Sequence, residues 1–207
     1  MPTSHRFWDR IAHRYDRTSD RHAAYRDMRL AHMQTLLRTQ DTVLDFACGT
    51  GRLALNLAPH VTSVLGIDLS EGMVAQARAK LAGGGPANLH FDAIDLFSHE
   101  LDGRRFSVVT AFNVFHLLDD PGRYLERMRA LLSPGGLMIS ETPCLGRKPW
   151  WALALIKLAG WVGLLPRVRA LTEESLEAII TDQGFEIIEA KLLDEDIGDP
   201  WIMARKT

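Results

Sequence analysis

Two kinds of segment alternate along the chain. Apolar runs of four to seven residues end at about positions 46, 67, 91, 112 and 141, and the stretches after them have apolar residues at helical spacing. Short runs bounded by turn residues read as strands, and strands alternating with helices predict a doubly wound, Rossmann-like α/β fold. The turn residues agree. A helix is expected from about Arg52; Ser70 can cap another that runs to about Leu81, where Ala82-Gly-Gly-Gly-Pro86 ends it. Pro121, after Asp119 and Asp120, sits just inside a further helix that Ser133-Pro-Gly-Gly136 is expected to terminate before a strand over 137–141. Thr172 with Glu173 and Glu174 opens a last helix, closed by Gly184. The final apolar runs, Phe185–Leu193 and Trp201–Arg205, are joined through Gly198-Asp-Pro200 and predict a hairpin.

Ahead of the first strand, Ile11, Tyr15, Tyr25, Met28, Met33, Leu36 and Leu37 predict two helices with a polar break near Thr18-Ser-Asp20, placed to cap the ligand side of the sheet. The pattern fails to alternate once. From Pro149 to Leu165 an apolar stretch of roughly sixteen residues is interrupted by Lys157, Gly160 and Gly163, short of the ~20 needed to span a bilayer. It reads first as a buried or lid helix over an apolar substrate pocket, with peripheral membrane contact or a homodimer surface as the other readings.

With 207 residues, 46% hydrophobic and 24% charged, the composition fits one domain with a sizeable core. The segments divide it into a helical cap (1–40), a ligand-binding core (41–146), the apolar lid or insertion (147–171) and a C-terminal helix and hairpin (172–207). A net charge of −2 argues against general nucleic-acid binding. Residues 1–40 nevertheless hold eight arginines against four aspartates, which reads as a solvated, salt-bridged helix face ahead of an anionic-substrate or RNA contact. Two cysteines make no disulfide framework, and Met1-Pro-Thr-Ser-His-Arg6 shows no apolar signal segment, so a cytoplasmic protein is expected. Cys48 reads as a small residue in a crowded loop rather than a catalytic thiol. Scattered histidines show no ligand spacing, so no metal is expected.

The chemistry concentrates in Val43-Leu-Asp-Phe-Ala-Cys-Gly-Thr-Gly-Arg-Leu-Ala54. An apolar strand ends in the acid Asp45 and turns through Gly49 and Gly51, which lack a Cβ and let the backbone turn sharply and approach a ligand. The second strand, Val64–Ile67, ends in Asp68, placed to accept hydrogen bonds from both hydroxyls of a ribose. Spacing alone leaves two readings. Gly49-x-Gly51-x-x-Ala54 satisfies the dinucleotide fingerprint, with Asp68 about where an NAD-binding acid lies. Three features favour S-adenosylmethionine. Asp45 can help bind an amino acid's ammonium but would repel a pyrophosphate. Asp92, after the third strand, suits the exocyclic amino group of an adenine. The chain is also short for a dinucleotide fold with a separate substrate domain. A sulfonium methyl is already activated, so a base is optional; His116, in Asn113-Val-Phe-His116 after the fourth strand, is the candidate proton acceptor, and a pocket-lining or capping imidazole is the competing reading.

The sequence resembles the class I S-adenosylmethionine-dependent methyltransferases in Val43–Gly51, Gly66-Ile-Asp-Leu-Ser70 with Met73, Phe91-Asp-Ala93 and Leu132-Ser-Pro-Gly-Gly-Leu137. Phe7-Trp-Asp-Arg-Ile-Ala12 and Tyr15-Asp16 look like the opening of small-molecule enzymes related to those of quinone biosynthesis. One departure is Ala47, where the family usually has its first glycine; a slightly tighter fit without loss of binding is expected. The resemblance implies a seven-stranded sheet of order 3-2-1-4-5-7-6 with the seventh strand antiparallel. It further implies that Asp45, Ala47, Gly49 and Gly51 surround the methionine portion of the cofactor, Asp68 its ribose, Leu69 and Met73 the adenine faces, and Asp92 with the Ala93 backbone the adenine edge. Phe112 and Asn113 would meet the ammonium through backbone carbonyls, and Tyr15 the carboxylate, with core packing as the other reading for Leu69, Met73 and Tyr15. The expected function is methyl transfer to a small, fairly apolar acceptor. A tRNA or protein methyltransferase and a non-catalytic adenosyl-ligand-binding protein are the alternatives.

Overall fold

A computed structural model of the chain describes residues 4–19 and 23–207. The elements are α1 (Ser4–Ser19), α2 (Ala23–Leu36), β1 (Thr42–Phe46), α3 (Arg52–Leu57), β2 (Ser63–Ile67), α4 (Glu71–Ala79), β3 (Leu89–Asp92), β4 (Phe106–Phe112), α5 (Pro121–Leu131), β5 (Leu132–Glu141), α6 (Trp150–Trp161), α7 (Glu173–Asp182), β6 (Phe185–Leu192) and β7 (Pro200–Lys206). The polar break expected near Thr18–Asp20 falls where description stops: α1 runs to Ser19, and residues 20–22 lie outside the described residues.

The apolar runs form strands because both their faces are enclosed. Neighbours on a strand point to opposite sides, yet Val43 and Leu44 are both buried, as are Val108 and Val109. Leu44 and Val109 join a cluster closed by Leu125 and Met128 of α5 and Leu176 and Ile180 of α7. Val43 and Val108 join the opposite cluster, closed by Met33 of α2, Leu57 of α3 and Val74 of α4. Helices thus cover each face of one seven-stranded sheet of order β3-β2-β1-β4-β5-β7-β6. The pairings from β3 to β5 are parallel, and β7 is antiparallel to both β5 and β6. The order reverses between β1 and β4, the place where doubly wound sheets open a crevice at their C-terminal edge.

Local signals set most boundaries. Ser70 caps α4 by accepting from the Met73 amide, Asp120 caps α5 ahead of Pro121, and Thr172 with Ser175 forms a reciprocal capping box on α7. Two expectations need correction. Ser133–Gly136 does not end a helix: α5 stops at Leu131, and Leu132 already pairs with Phe106. The register then jumps to Val108 opposite Leu137, so Ser133–Gly136 forms a bulge inside β5, with Gly135 at φ 68°. The second correction concerns α6. Its predicted burial does not occur: only Gly160 of that helix is buried, while Trp150 and Trp161 are 81% and 75% exposed.

Candidate active site

A cavity of about 420 Å³ opens along the C-terminal ends of the strands, reaching from β2 across β1 and β4 to β5 and the turn before β7. One end is built by the turn after β1. Gly49, at φ 54°, leaves open space where a Cβ would stand, so a ligand can lie against its backbone. Gly51 serves otherwise. A Cβ there would meet the Phe91 ring at 2.3 Å, so this glycine lets β3 and α4 pack on the turn and does not line the cavity. Ala47 takes φ 57°, a left-handed conformation that explains the family's glycine and costs an alanine about 1–2 kcal/mol. Its methyl packs against the core beside the cavity.

Two acids define this end. Asp68 accepts from the Gly49 amide at 2.9 Å through one oxygen and from the Ser70 amide at 2.8 Å through the other. It therefore ties the glycine turn to the end of β2, and each oxygen keeps a lone pair for a ribose hydroxyl. Burial raises its carboxyl above the ordinary range, with those amide bonds opposing. Asp45 is almost wholly buried; Thr110 donates to one oxygen at 2.7 Å, while the other has no hydrogen-bond partner. Burial pushes this carboxyl up to about 6. Burial also pushes the Cys48 thiol well up, which removes it as a nucleophile at neutral pH.

The other end contains residues that sequence reasoning missed. Tyr25 and Arg29 lie one turn apart on α2 and reach the end of β5, where Glu141 is buried. The Tyr25 hydroxyl donates to Glu141 Oε2 at 2.5 Å, and Arg29 Nη1 donates to Oε1 at 3.1 Å. The Arg29 guanidinium stacks 4.6 Å from the Phe112 ring centroid, and its buried Nε has no hydrogen-bond partner. Asp199, which the sequence offered only as a turn residue, also lines the cavity, its carboxyl pushed up to about 6 by burial and then by the charge of Glu141.

Helix α1 covers the first end. Asp9 accepts from the Ser70 hydroxyl at 2.6 Å and the Gly72 amide at 2.9 Å. Asp16 accepts from Thr50 at 2.6 Å and pairs with Lys80 at 2.7 Å. These bonds hold Trp8 and Tyr15 against the cavity. Arg6, Arg10, Arg14 and Arg17 stand exposed on the outer side of α1, whereas Arg26 and Arg29 of α2 turn into the cavity.

Of the predicted site residues, the cavity gathers Tyr15, Asp45, Ala47, Gly49, Asp68, Leu69, Met73, Phe112 and Asn113. It does not include Asp92 or Ala93; the Asp92 carboxylate is paired with Arg78 at 3.1 Å. His116 sits in the turn after β4, next to the cavity-lining Leu117 but not itself in the wall, and burial lowers its imidazole to about 4. None of residues 149–165 lines the cavity, so α6 does not cover it in this structure. Among the described residues no group of three acidic, histidine or cysteine side chains could hold a metal ion.

The buried groups left without partners test whether an amino-acid-bearing nucleoside fits. Asp45 keeps one oxygen without a hydrogen-bond partner for an ammonium, and Arg29, paired with Glu141 through Nη1, keeps its Nε–H without an acceptor for a carboxylate; both residues line the cavity that also holds Asp68. A pyrophosphate would set its charge beside Asp45, which the dinucleotide reading cannot accommodate. Comparison with known proteins agrees: residues 12–190 match a family described as a methyltransferase domain.

The chain belongs to the class I S-adenosylmethionine-dependent methyltransferases.

A ubiquinone biosynthesis O-methyltransferase of Azorhizobium caulinodans is 31% identical to this chain over 175 residues, 80% of this chain and 67% of that protein. The enzyme of the same description from Coxiella burnetii is 32% identical over 100 residues, 48% of this chain, and the aligned stretch spans 42% of that relative's length. A solved S-adenosylmethionine-dependent methyltransferase from Mesorhizobium loti shares the fold, with a TM-score of 0.67 at 21% identity, covering 85% of this chain and 96% of that one.

Proposed function

We propose that this domain transfers a methyl group from S-adenosylmethionine to a small, fairly apolar acceptor. The observation that carries the reading is that Asp45 and Arg29, oppositely charged and each keeping one buried atom without a hydrogen-bond partner (Oδ2 and Nε), line the same cavity as Asp68 and the glycine turn. The sulfonium supplies an activated methyl. Asp45 would hold the amino-acid ammonium, Arg29 the carboxylate and Asp68 the ribose. Apolar side chains from β4 and the following turn, with α1 above them, exclude water. Glu141, held by Tyr25 and Arg29, would fix the Arg29 guanidinium, and Asp199 would face the acceptor. Asp199, at about 6, is poised to take a proton from a hydroxyl near neutral pH. His116 is the second candidate, weaker as a base because of its lowered pKa. The quinone-pathway names of the relatives favour an O-methyl acceptor of that general size and polarity.

Calorimetry tests the binding half. S-adenosylmethionine and its demethylated product should bind, and Asp68→Ala should weaken both by about 1.5–3 kcal/mol. Arg29→Gln should weaken the demethylated product by at least tenfold yet leave methylthioadenosine, which lacks the amino-acid end, unchanged. Preferential binding of NAD would sink the reading. Incubation with methyl-labelled cofactor and cell extract, followed by mass spectrometry of the labelled product, tests the transfer.

A further inference from the structure

The cavity leaves unused the excursion between β5 and α7. Its two ends meet where the Gly146 amide donates to the Leu171 carbonyl at 2.7 Å, and Arg169 anchors it to the turn after β4 through the His116 carbonyl at 2.6 Å. The excursion is thus rooted at the sheet edge where the cavity opens. Between those ends, α6 and the turn after it hold Trp150, Leu155, Leu158, Trp161 and Leu164 at 56–81% exposure. Exposed apolar area concentrated on one element marks a contact surface. No helix among the described residues is long and apolar enough to cross a membrane, and α6, at 12 residues, is about 18 Å long.

Charge selects the partner. Residues 147–170 contain five cations, Arg147, Lys148, Lys157, Arg167 and Arg169, and no aspartate or glutamate, in a chain whose net charge is −2. Arg147 is paired with Glu173 and Glu174, but Lys148, Lys157 and Arg167 are exposed and have no ion-pair partner among the described residues. A second copy docking by a two-fold axis would set this cationic patch against itself. An anionic bilayer surface instead answers both properties, tryptophans and leucines at the acyl boundary and lysines and arginine at the headgroups. We propose that residues 147–170 dock the domain on an anionic membrane surface, which places the cavity mouth beside the layer where apolar molecules partition.

Flotation of the full chain with vesicles tests this. Vesicles of phosphatidylglycerol and phosphatidylcholine should carry the protein, with a blue shift of tryptophan emission, whereas phosphatidylcholine alone should not. W150A/W161A should weaken binding by tenfold or more. K148Q/K157Q/R167Q should weaken it about a hundredfold, and salt should weaken only the wild type's advantage over that variant. All five side chains are exposed, so both variants should keep the wild-type melting temperature and cofactor affinity, which separates this surface from the methyltransferase reading. Equal binding to both vesicle types, or to neither, would overturn the proposal. So would a concentration-dependent dimer that W150A/W161A disperses, which would make the face a contact between copies.

Discussion

Asp45→Asn should change the apoprotein's stability and its cofactor affinity in opposite senses, with a distinctive pH dependence. Burial holds the Asp45 carboxyl at about 6 in the folded chain, against an ordinary 3.8. Between those values the folded state binds the proton more tightly than the unfolded state does. The unfolding free energy therefore falls as pH rises through the window, and the penalty is complete above about 6. At 1.36 kcal/mol per pH unit, the gap amounts to about 3 kcal/mol. The amide introduced by the substitution does not titrate. Its own cost, a buried nitrogen without an acceptor, is about 1–3 kcal/mol but is independent of pH and drops out of the slope. Urea denaturation of both apoproteins from pH 4 to pH 8 should show wild-type stability, taken relative to the variant, decreasing by about 2–3 kcal/mol. The lower figure allows for Asp68, whose charge raises Asp45 and which should ionise more readily once that charge is gone. Saturating S-adenosylmethionine should reverse the slope in the wild type, because an ammonium on Asp45 favours its charged form. A relative stability flat with pH would refute the buried-carboxylate reasoning, and a variant that binds the cofactor at wild-type strength at pH 8 would refute the ammonium assignment.

Ala47→Gly should relieve the left-handed strain at φ 57°, and after the entropy lost to a freer unfolded chain should raise stability by about 0.5–1 kcal/mol, or about 1–4 °C in melting temperature; a lower melting temperature would mean that the methyl's packing outweighs the strain. Asp199→Asn should cut turnover at least tenfold and remove the rise in rate through pH 6, without changing cofactor affinity, whereas His116→Ala should leave turnover within about threefold. The opposite ranking in the same assay would return the proton to His116. Asp16→Ala, which removes the acceptor of the Thr50 hydroxyl and the ion pair of Lys80, should speed amide exchange in α1 and weaken the cofactor, with the exchange of the central strands unchanged.

The strands were legible because two-sided burial writes an uninterrupted apolar run that ends in an acid or a turn residue; their order came only from the family resemblance, since an apolar run does not say which strand it lies beside. Asp45, Gly49 and Asp68 could be found for the same reason: turn and acid are adjacent in sequence. Arg29 and Glu141 could not be paired by any local signal, since 112 residues separate them and only the sheet's crossover brings α2 over β5. Glu141 did leave a trace, an acid closing an apolar strand as Asp45 and Asp68 do. Gly51 shows the limit of motif reading, for its missing Cβ serves the Phe91 ring rather than a ligand. The hydropathy of 149–165 predicted a helix but not its surroundings, because an apolar sequence reads the same whether protein, lipid or a second chain covers it.

The place of β7 bears on how the molecule is made. It is the last strand in sequence, yet it lies inside the sheet, bonded to β5 on one side and β6 on the other, and it carries the fully buried Trp201. While a ribosome is still adding residues 200–206, β5 presents an unpaired edge and β6 has nothing to pair with. The indole's slot between the sheet and α2 also stays open, although the whole cofactor end has already been synthesised. Assembly of the acceptor end, where β5 and the turn before β7 meet, therefore waits for that strand to slide in. A stalled or nicked chain that ends before Pro200 is thus a species with the cofactor half built but an open sheet edge, the kind of edge that invites pairing with another chain.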